Sequence, residues 1–308
     1  MVACPQNIQI IEEKRRINMT YYEKHKYLQK DTAKKYDEVL PDYYFFDFDS
    51  KKYVDERYFL QKYLNNNKFK VAFELGVGTG RMSELIIPHV SEFKGIDFSE
   101  SMIQKTKKRF KDTNSEFTTI SINDFIDKKP NMDNIDFLCS FYAYNYSLLS
   151  YFEYYYPETD EHGAYSDKIL AEHNAANEIR KLFKLLKPGT KFMFYYFDAY
   201  STEQTYVTHV LEKELPFPYD DRGYTYKLLL HTLKNIKNVD FEVDHKTGYA
   251  ELKDTTHLLK YYSTLHLAGE LNTFEDKVNL FDAFKAFKLS TGEYHIPAGV
   301  NIITGNVK

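Results

Sequence analysis

Tryptophan is absent from this chain, and cysteine occurs only at Cys4 and Cys139. Two distant cysteines make neither a disulfide framework nor a zinc spacing, so no metal site is expected. No apolar run reaches the ~18–20 residues that a membrane-spanning helix needs. Basic residues are not in excess: 41 Lys and Arg face 45 Asp and Glu, for a net charge of −4 and a pI of about 6.2. That balance argues against a phosphate-backbone partner, which calls for a basic face. The opening Met-Val-Ala-Cys-Pro-Gln-Asn has no basic segment followed by an apolar one, the mark of a secretory signal. A reducing, cytoplasmic setting is therefore expected. Aromatic residues are what the chain has in quantity, with 28 Tyr and 24 Phe. AT-rich codon usage accounts for a bias of this kind. It also suits an aromatic-lined pocket, because ring faces attract a cation by ~0.5–2 kcal/mol each.

With 308 residues the chain has room for one large domain, or one domain with a substantial insertion. Its most informative stretch is Val71-Ala-Phe-Glu-Leu-Gly-Val-Gly-Thr-Gly-Arg81. A short apolar run ends in three alternating glycines, and a helical stretch begins at Met82. Glycine lacks a Cβ, so a turn built this way can bring bare backbone against a ligand. A second short strand, Phe93 to Ile96, ends in Asp97. An acid at such a strand tip can accept two ribose hydroxyls. The spacing departs from the dinucleotide fingerprint G-x-G-x-x-G, because Arg81 stands where its third glycine belongs. There is no Walker lysine, which weighs against a nucleoside triphosphate.

The pattern acid-x-G-x-G-x-G from Glu74 resembles motif I of the class I S-adenosylmethionine-dependent methyltransferases. Gly95-Ile96-Asp97-Phe98-Ser99 resembles their next motif, and Leu185-Leu186-Lys187-Pro188-Gly189 their "LKPGG" turn, with Thr190 in place of the second glycine. The specific resemblance covers roughly residues 70–198. It implies S-adenosylmethionine as cofactor and an α/β fold: a seven-stranded, mostly parallel sheet with helices on both faces. Alternating strands and helices argue independently for such a sheet. Strands are expected near 69–75, 93–96, 116–120, 135–141 and 191–197, with helices near 81–89, 100–110 and 166–186. Residues 1–65 read as an N-terminal helical cap or lid. Residues 66–308 read as the cofactor-binding domain, with an insertion near 200–270 that roofs the substrate cavity. Within that insertion 224–230 and 239–243 are strand candidates. A helix is expected over 278–287 and a closing strand over 299–307.

Ligands of open parallel sheets sit at the carboxyl ends of the strands, so strand-end residues are the first candidates. By resemblance, Gly76, Val77, Gly78, Thr79, Gly80 and Arg81 would form the loop under the methionine portion, organised by Glu74. Asp97 would take the ribose hydroxyls, with Phe98 and Met102 flanking the adenine. Asn123, Asp124 and Phe125 would lie beside the purine, Asp124 accepting from its amino group. An acid after a strand is also a common turn or helix-cap residue, the alternative role for Asp124. Ser140 is expected at the cofactor, and Tyr142, Tyr144 and Asn145 at its reactive end. His173 is a candidate general base, since imidazole titrates near neutrality. Tyr22, Tyr36, Tyr146 and His162 are candidate substrate contacts. The fourth strand lacks the Asn/Asp-Pro-Pro-aromatic run of nucleobase and glutamine-amide methyltransferases. The expected activity is methyl transfer to a small molecule, with no nucleic-acid or membrane partner. Two alternatives stay open: another S-adenosylmethionine-consuming reaction, such as intramolecular attack releasing methylthioadenosine, and a non-catalytic binding protein on the same fold.

Overall fold

The computed structural model describes residues 39–156, 161–211, 222–267 and 269–308. Its frame is one nine-stranded sheet of order β2-β1-β10-β11-β9-β6-β3-β4-β5. The strands are β1 (Asp42–Asp47), β2 (Lys52–Asp55), β3 (Val71–Leu75), β4 (Glu92–Asp97), β5 (Ser115–Thr119), β6 (Phe137–Phe141), β9 (Lys191–Phe197), β10 (Val239–Leu252) and β11 (Tyr294–Val307). β3, β4, β5, β6 and β9 run parallel. β11 enters antiparallel between β9 and β10. The central strands are apolar along their length, as Phe137–Phe141 shows with all five residues buried. Helices on both faces require this.

The helices are α1 (Arg57–Asn65), α2 (Ser83–Ile86), α3 (Glu100–Arg109), α4 (Ile122–Asp127), α5 (Tyr144–Leu149), α6 (Lys168–Lys184), α7 (Thr202–Leu211), α8 (Tyr224–Lys234), α9 (Thr255–Tyr261, running on into a π turn) and α10 (Phe274–Phe284). Local chemistry sets their starts. Ser99, Ser121, Asp167 and Asp254 each accept a backbone N–H at a helix N-cap. Thr273 and Asp276 form a reciprocal capping box on α10. Across α6, Ala171, Ala175, Ile179 and Leu182 form the buried stripe, the i, i+4 spacing of one helix face.

Two expectations are corrected. The sheet has nine strands, not seven, because residues 42–55 form a hairpin at its edge instead of part of a helical cap. Alternation decides this: Tyr43, Phe45 and Asp47 point inward while their neighbours are more exposed. The segment 224–230 is helical, its Thr225, Leu229, Thr232 and Leu233 buried at helical spacing. The excursion after α5 is a two-stranded hairpin, β7 (Glu153–Tyr156) with β8 (Glu161–Ala164). Residues 1–38, and with them Tyr22 and Tyr36, lie outside the described residues.

Two apolar clusters line the faces of the sheet. A third lies at its carboxyl edge. β10 and β11 run past the end of β9, since Val300 already pairs with Phe197 while the β10–β11 ladder continues to Leu252 and Tyr294. β1 pairs with this overhang, Asp42–Phe45 against Glu251–Gly248. Val207 and Leu211 of α7, Leu258 and Tyr261 of α9, and Leu280 and Phe284 of α10 pack on it. Helices α7, α9 and α10 thus form a layer with its own core at the carboxyl edge of the sheet, called the roof below.

Candidate cofactor and acceptor site

The loop after β3 carries three glycines in the left-handed region: Gly76 at φ 78°, Gly78 at 54° and Gly80 at 83°. The N–H groups of Gly76 and Val77 donate to the Ile96 carbonyl, at 2.9 and 3.0 Å, tying the loop to the end of β4. Gly78 is half-buried at the crest of the loop. Its N–H donates to Asp97 Oδ2 at 2.9 Å, and its carbonyl accepts from Thr106 Oγ1 at 2.7 Å. A side chain built at Gly78 would meet nothing within 4 Å, so open space lies over bare backbone.

Asp97 is buried and joins the loop to the next helix. Its Oδ1 accepts from the N–H of Ser99 at 2.8 Å. Burial lifts its pKa to about 6, against the opposing pull of the Ser99 and Gly78 N–H groups. A carboxylate has about four acceptor positions, and two are taken here. Glu74, at the end of β3, is equally buried. Ser83 Oγ donates to its Oε2 at 2.6 Å, and burial pushes its pKa up to about 8, with repulsion from Asp97 adding to the shift. Phe98 is half-buried and Met102 fully buried on the first turn of α3.

The end of β6 is strained. Tyr142 has φ 57°, a left-handed conformation that a bulky side chain enters only at a cost of ~1–3 kcal/mol. Its surroundings hold it there. The hydroxyl donates to Glu56 Oε2 at 2.6 Å. The ring stacks on Phe197 at 4.2 Å and lies 6.2 Å from Tyr43. Glu56 is buried and also pairs with Arg81. Arg81 therefore connects the glycine loop to Glu56 and Tyr142. Burial, then the Glu56 charge, push the Tyr142 phenol well up, so it stays a donor. Tyr144 is buried on the first turn of α5, while Asn145 and Tyr146 are half-buried there.

Roof and hairpin meet at Glu203 of α7. Its Oε1 accepts from Tyr43 Oη at 2.7 Å and from Tyr261 Oη. Tyr262 Oη donates to its backbone carbonyl at 3.1 Å.

The other expected residues have the following partners within the fold. The Asn123 amide donates to Glu178 and to the Ser147 carbonyl, inside the interface of α4, α5 and α6. Ser121 Oγ donates to Asp124 Oδ2 at 2.8 Å, so Asp124 makes the capping pair at the start of α4. Phe125 stacks on Phe73 at 4.9 Å. Ser140 Oγ donates to the Leu75 carbonyl and accepts the Tyr144 N–H, stitching β6 to the end of β3. His173 is exposed, off the buried stripe of α6. Val77 is a core residue, and the Thr79 carbonyl accepts from Arg109. The side chain of His162 lies outside those described. Sequence reasoning missed Tyr43, Glu56, Glu203 and Tyr261. No spacing rule marks them, because they converge from the hairpin, the turn after it and two roof helices.

The strand order β5-β4-β3-β6-β9-β11-β10 with β11 reversed, the glycine loop on β3 and the acid at the tip of β4 make the class I methyltransferase fold. A family model described as "Methyltransferase domain" matches residues 66–255, well over half of the chain, and the chain belongs to that family. No curated protein sequence matches it. Among solved structures it is similar to the YcgJ protein of Bacillus subtilis, at 11% identity over 82% of this chain and 97% of that one, with a TM-score of 0.48. The putative methyltransferase BH2331 of Bacillus halodurans gives 11% identity, 82% and 98% coverage and a TM-score of 0.46. The N-methyltransferase NodS of Bradyrhizobium japonicum, solved with S-adenosyl-L-homocysteine, gives 12%, 82%, 87% and 0.42. No helix among the described residues is long and apolar enough to cross a membrane.

Proposed function

We propose that the protein transfers the methyl group of S-adenosylmethionine to a small-molecule acceptor seated under the roof helices. The observation that carries this reading is the open crest at Gly78, whose N–H is fixed by a buried Asp97 with acceptor positions to spare. The residues fit the cofactor: Gly78 leaves backbone bare, and Asp97 has acceptor positions for ribose hydroxyls. When bound, S-adenosylmethionine supplies a methyl group already activated by its sulfonium.

The protein's share is then alignment and exclusion of water. Asp97 would hold the ribose hydroxyls beside the Gly78 backbone to which it is bonded. Arg81 and Glu56 pin the Tyr142 phenol at the tip of β6. Tyr43, Tyr142 and Phe197 supply an apolar wall in contact with one another. A small acceptor suits a site closed by its own chain, from roof and hairpin alike. The acidic overall charge supports the same reading over a nucleic acid.

The test is calorimetric titration of the full chain with S-adenosylhomocysteine, followed by mass spectrometry after incubation with S-adenosylmethionine and pooled small amines, phenols and carboxylic acids, and with RNA. Binding in the micromolar range and a gain of one methylene mass on a small molecule are expected. Methylthioadenosine formed without acceptor, or methylation of RNA alone, overturns the proposal.

A further inference from the structure

β2 is one edge of the nine-stranded sheet. The Glu56 N–H donates to the Tyr43 carbonyl at 3.1 Å, so the alternation of an antiparallel ladder turns the backbone groups of Val54 and Lys52 toward β1 as well. The N–H and C=O groups of Tyr53 and Asp55 point the other way, off the sheet. An open edge of this kind is a template for a further strand.

Side chains alternate across β2, which puts Tyr53 and Asp55 on one face and Lys52, opposite Asp47, on the other. Tyr53 begins an unbroken row of rings on the first face. It lies 5.5 Å from Phe46 and 5.3 Å from Tyr249, and Tyr249 lies 5.4 Å from Tyr44 and 4.1 Å from His295. None of these rings belongs to the three apolar clusters. Tyr53 is 56% exposed and the others are half-buried. Carboxylates border the row. Register sets Asp55 beside Tyr44 and Asp42 beside Glu251, whose Oε2 lies 3.1 Å from His295 Nε2. Burial, then the charges of Glu251, Asp42 and Asp55, raise the Tyr44 pKa. Ring faces and carboxylates both attract a cation, so the face is complementary to guanidinium groups and not to an anion.

We propose that β2 and the aromatic face beside it dock an extended, arginine-bearing segment of a partner protein, which pairs its backbone with Tyr53 and Asp55 and lays alternate arginines over Tyr53 and Tyr249 toward Asp55 and Glu251. Backbone bonds supply affinity and the side chains supply specificity. The surface is separate from the candidate site, because Tyr44 faces outward where its neighbour Tyr43 faces Tyr142. Docking there is independent of the methyltransferase reading.

The full chain is titrated calorimetrically at pH 7.5 with blocked octapeptides: (Thr-Arg)4, (Thr-Glu)4, and a fully N-methylated (Thr-Arg)4, which keeps the charge and loses every backbone donor. The first should bind at least tenfold tighter than either of the others, and more weakly as salt rises. The double variant Asp55→Asn, Glu251→Gln should lose at least tenfold in that affinity. Its melting temperature should not change, since each new side chain keeps an oxygen for its present partner, the Arg57 N–H or His295. No binding of (Thr-Arg)4, equal binding of the acidic or the N-methylated peptide, or full affinity in the double variant overturns the proposal. So does a parent chain that sediments as a dimer and becomes a monomer in Tyr53→Pro, because a second copy then occupies the edge.

Discussion

Replacing Asp97 by alanine strips two backbone N–H groups of their acceptor, those of Gly78 and Ser99. Each charge-assisted bond is worth roughly 1.5–3 kcal/mol. The Ser99 bond is buried and its loss falls on folding stability. Gly78 lies at the open crest, so its loss falls on the shape of the loop that receives the cofactor. A ribose contact of similar strength goes with it. Affinity for S-adenosylhomocysteine should therefore drop by about 3–6 kcal/mol, on the order of a hundredfold to ten-thousandfold. Asp97→Asn keeps one acceptor oxygen but turns an amide N–H toward a backbone donor, and should fall between. The pH dependence sharpens the test. Burial lifts Asp97 from 3.8 to about 6. At 1.36 kcal/mol per pH unit, ionised Asp97 costs the empty fold about 3 kcal/mol. Its stabilising share is complete below pH 3.8 and is lost as pH rises through 6. Cofactor binding runs the other way, since ribose hydroxyls donate to the ionised form. Between pH 5 and 7 the empty protein should lose stability while affinity climbs. Calorimetric titration with thermal melts at both pH values measures each trend. An Asp97→Ala protein that binds within threefold of the parent refutes the reasoning.

Gly78→Ala should cost only ~1 kcal/mol of stability, the left-handed penalty, yet weaken cofactor binding by tenfold or more, because its Cβ enters the open space. Gly80→Ala should show the reverse emphasis, a lower melting temperature, since its Cβ meets the Phe110 ring. Tyr142→Phe should destabilise by ~1–3 kcal/mol by leaving a Glu56 oxygen short of a donor, read by urea unfolding; an unchanged midpoint removes that bond from the account. Glu178→Ala should orphan the donors Asn123, Ser147 and Tyr151 and lower stability by several kcal/mol, with cofactor affinity intact. A matching loss of affinity would return Asn123 to the cofactor site.

The parallel half of the sheet was legible because its signals are local. Val71–Leu75, Phe137–Phe141 and Lys191–Phe197 are apolar runs of strand length, and Pro188-Gly189 marks the stop of α6. The loop at Gly76–Gly80 was readable for the same reason, since only glycine tolerates three left-handed positions so close together. The hairpin at 42–55 was hidden by its setting. Tyr43-Tyr44-Phe45-Phe46 is apolar at every position, so alternation shows only once one face is buried. Helix α8 was missed because Tyr224–Leu230 is rich in aromatic and apolar residues, a composition shared by strands and buried helices. Asn123 and Asp124 follow a strand as a purine contact would, but the chemistry that suits such a contact also caps helices and satisfies a buried acid. Glu203 carries no sequence mark, because its meaning comes from tyrosines about 160 residues before it and 58 after it.

β11 has a consequence for how the molecule is built. It is made after every other strand among the described residues, yet it sits between β9 and β10. Until it emerges from the ribosome, the hairpin and β10 have no ladder connecting them to the glycine-loop half. The nascent chain therefore carries two separate sheet fragments, and the wall of tyrosines cannot face the adenosyl cradle until Tyr294–Val307 slides between them as a keystone. Nascent chains halted before that segment should bind cofactor weakly or not at all, whichever motifs they already contain.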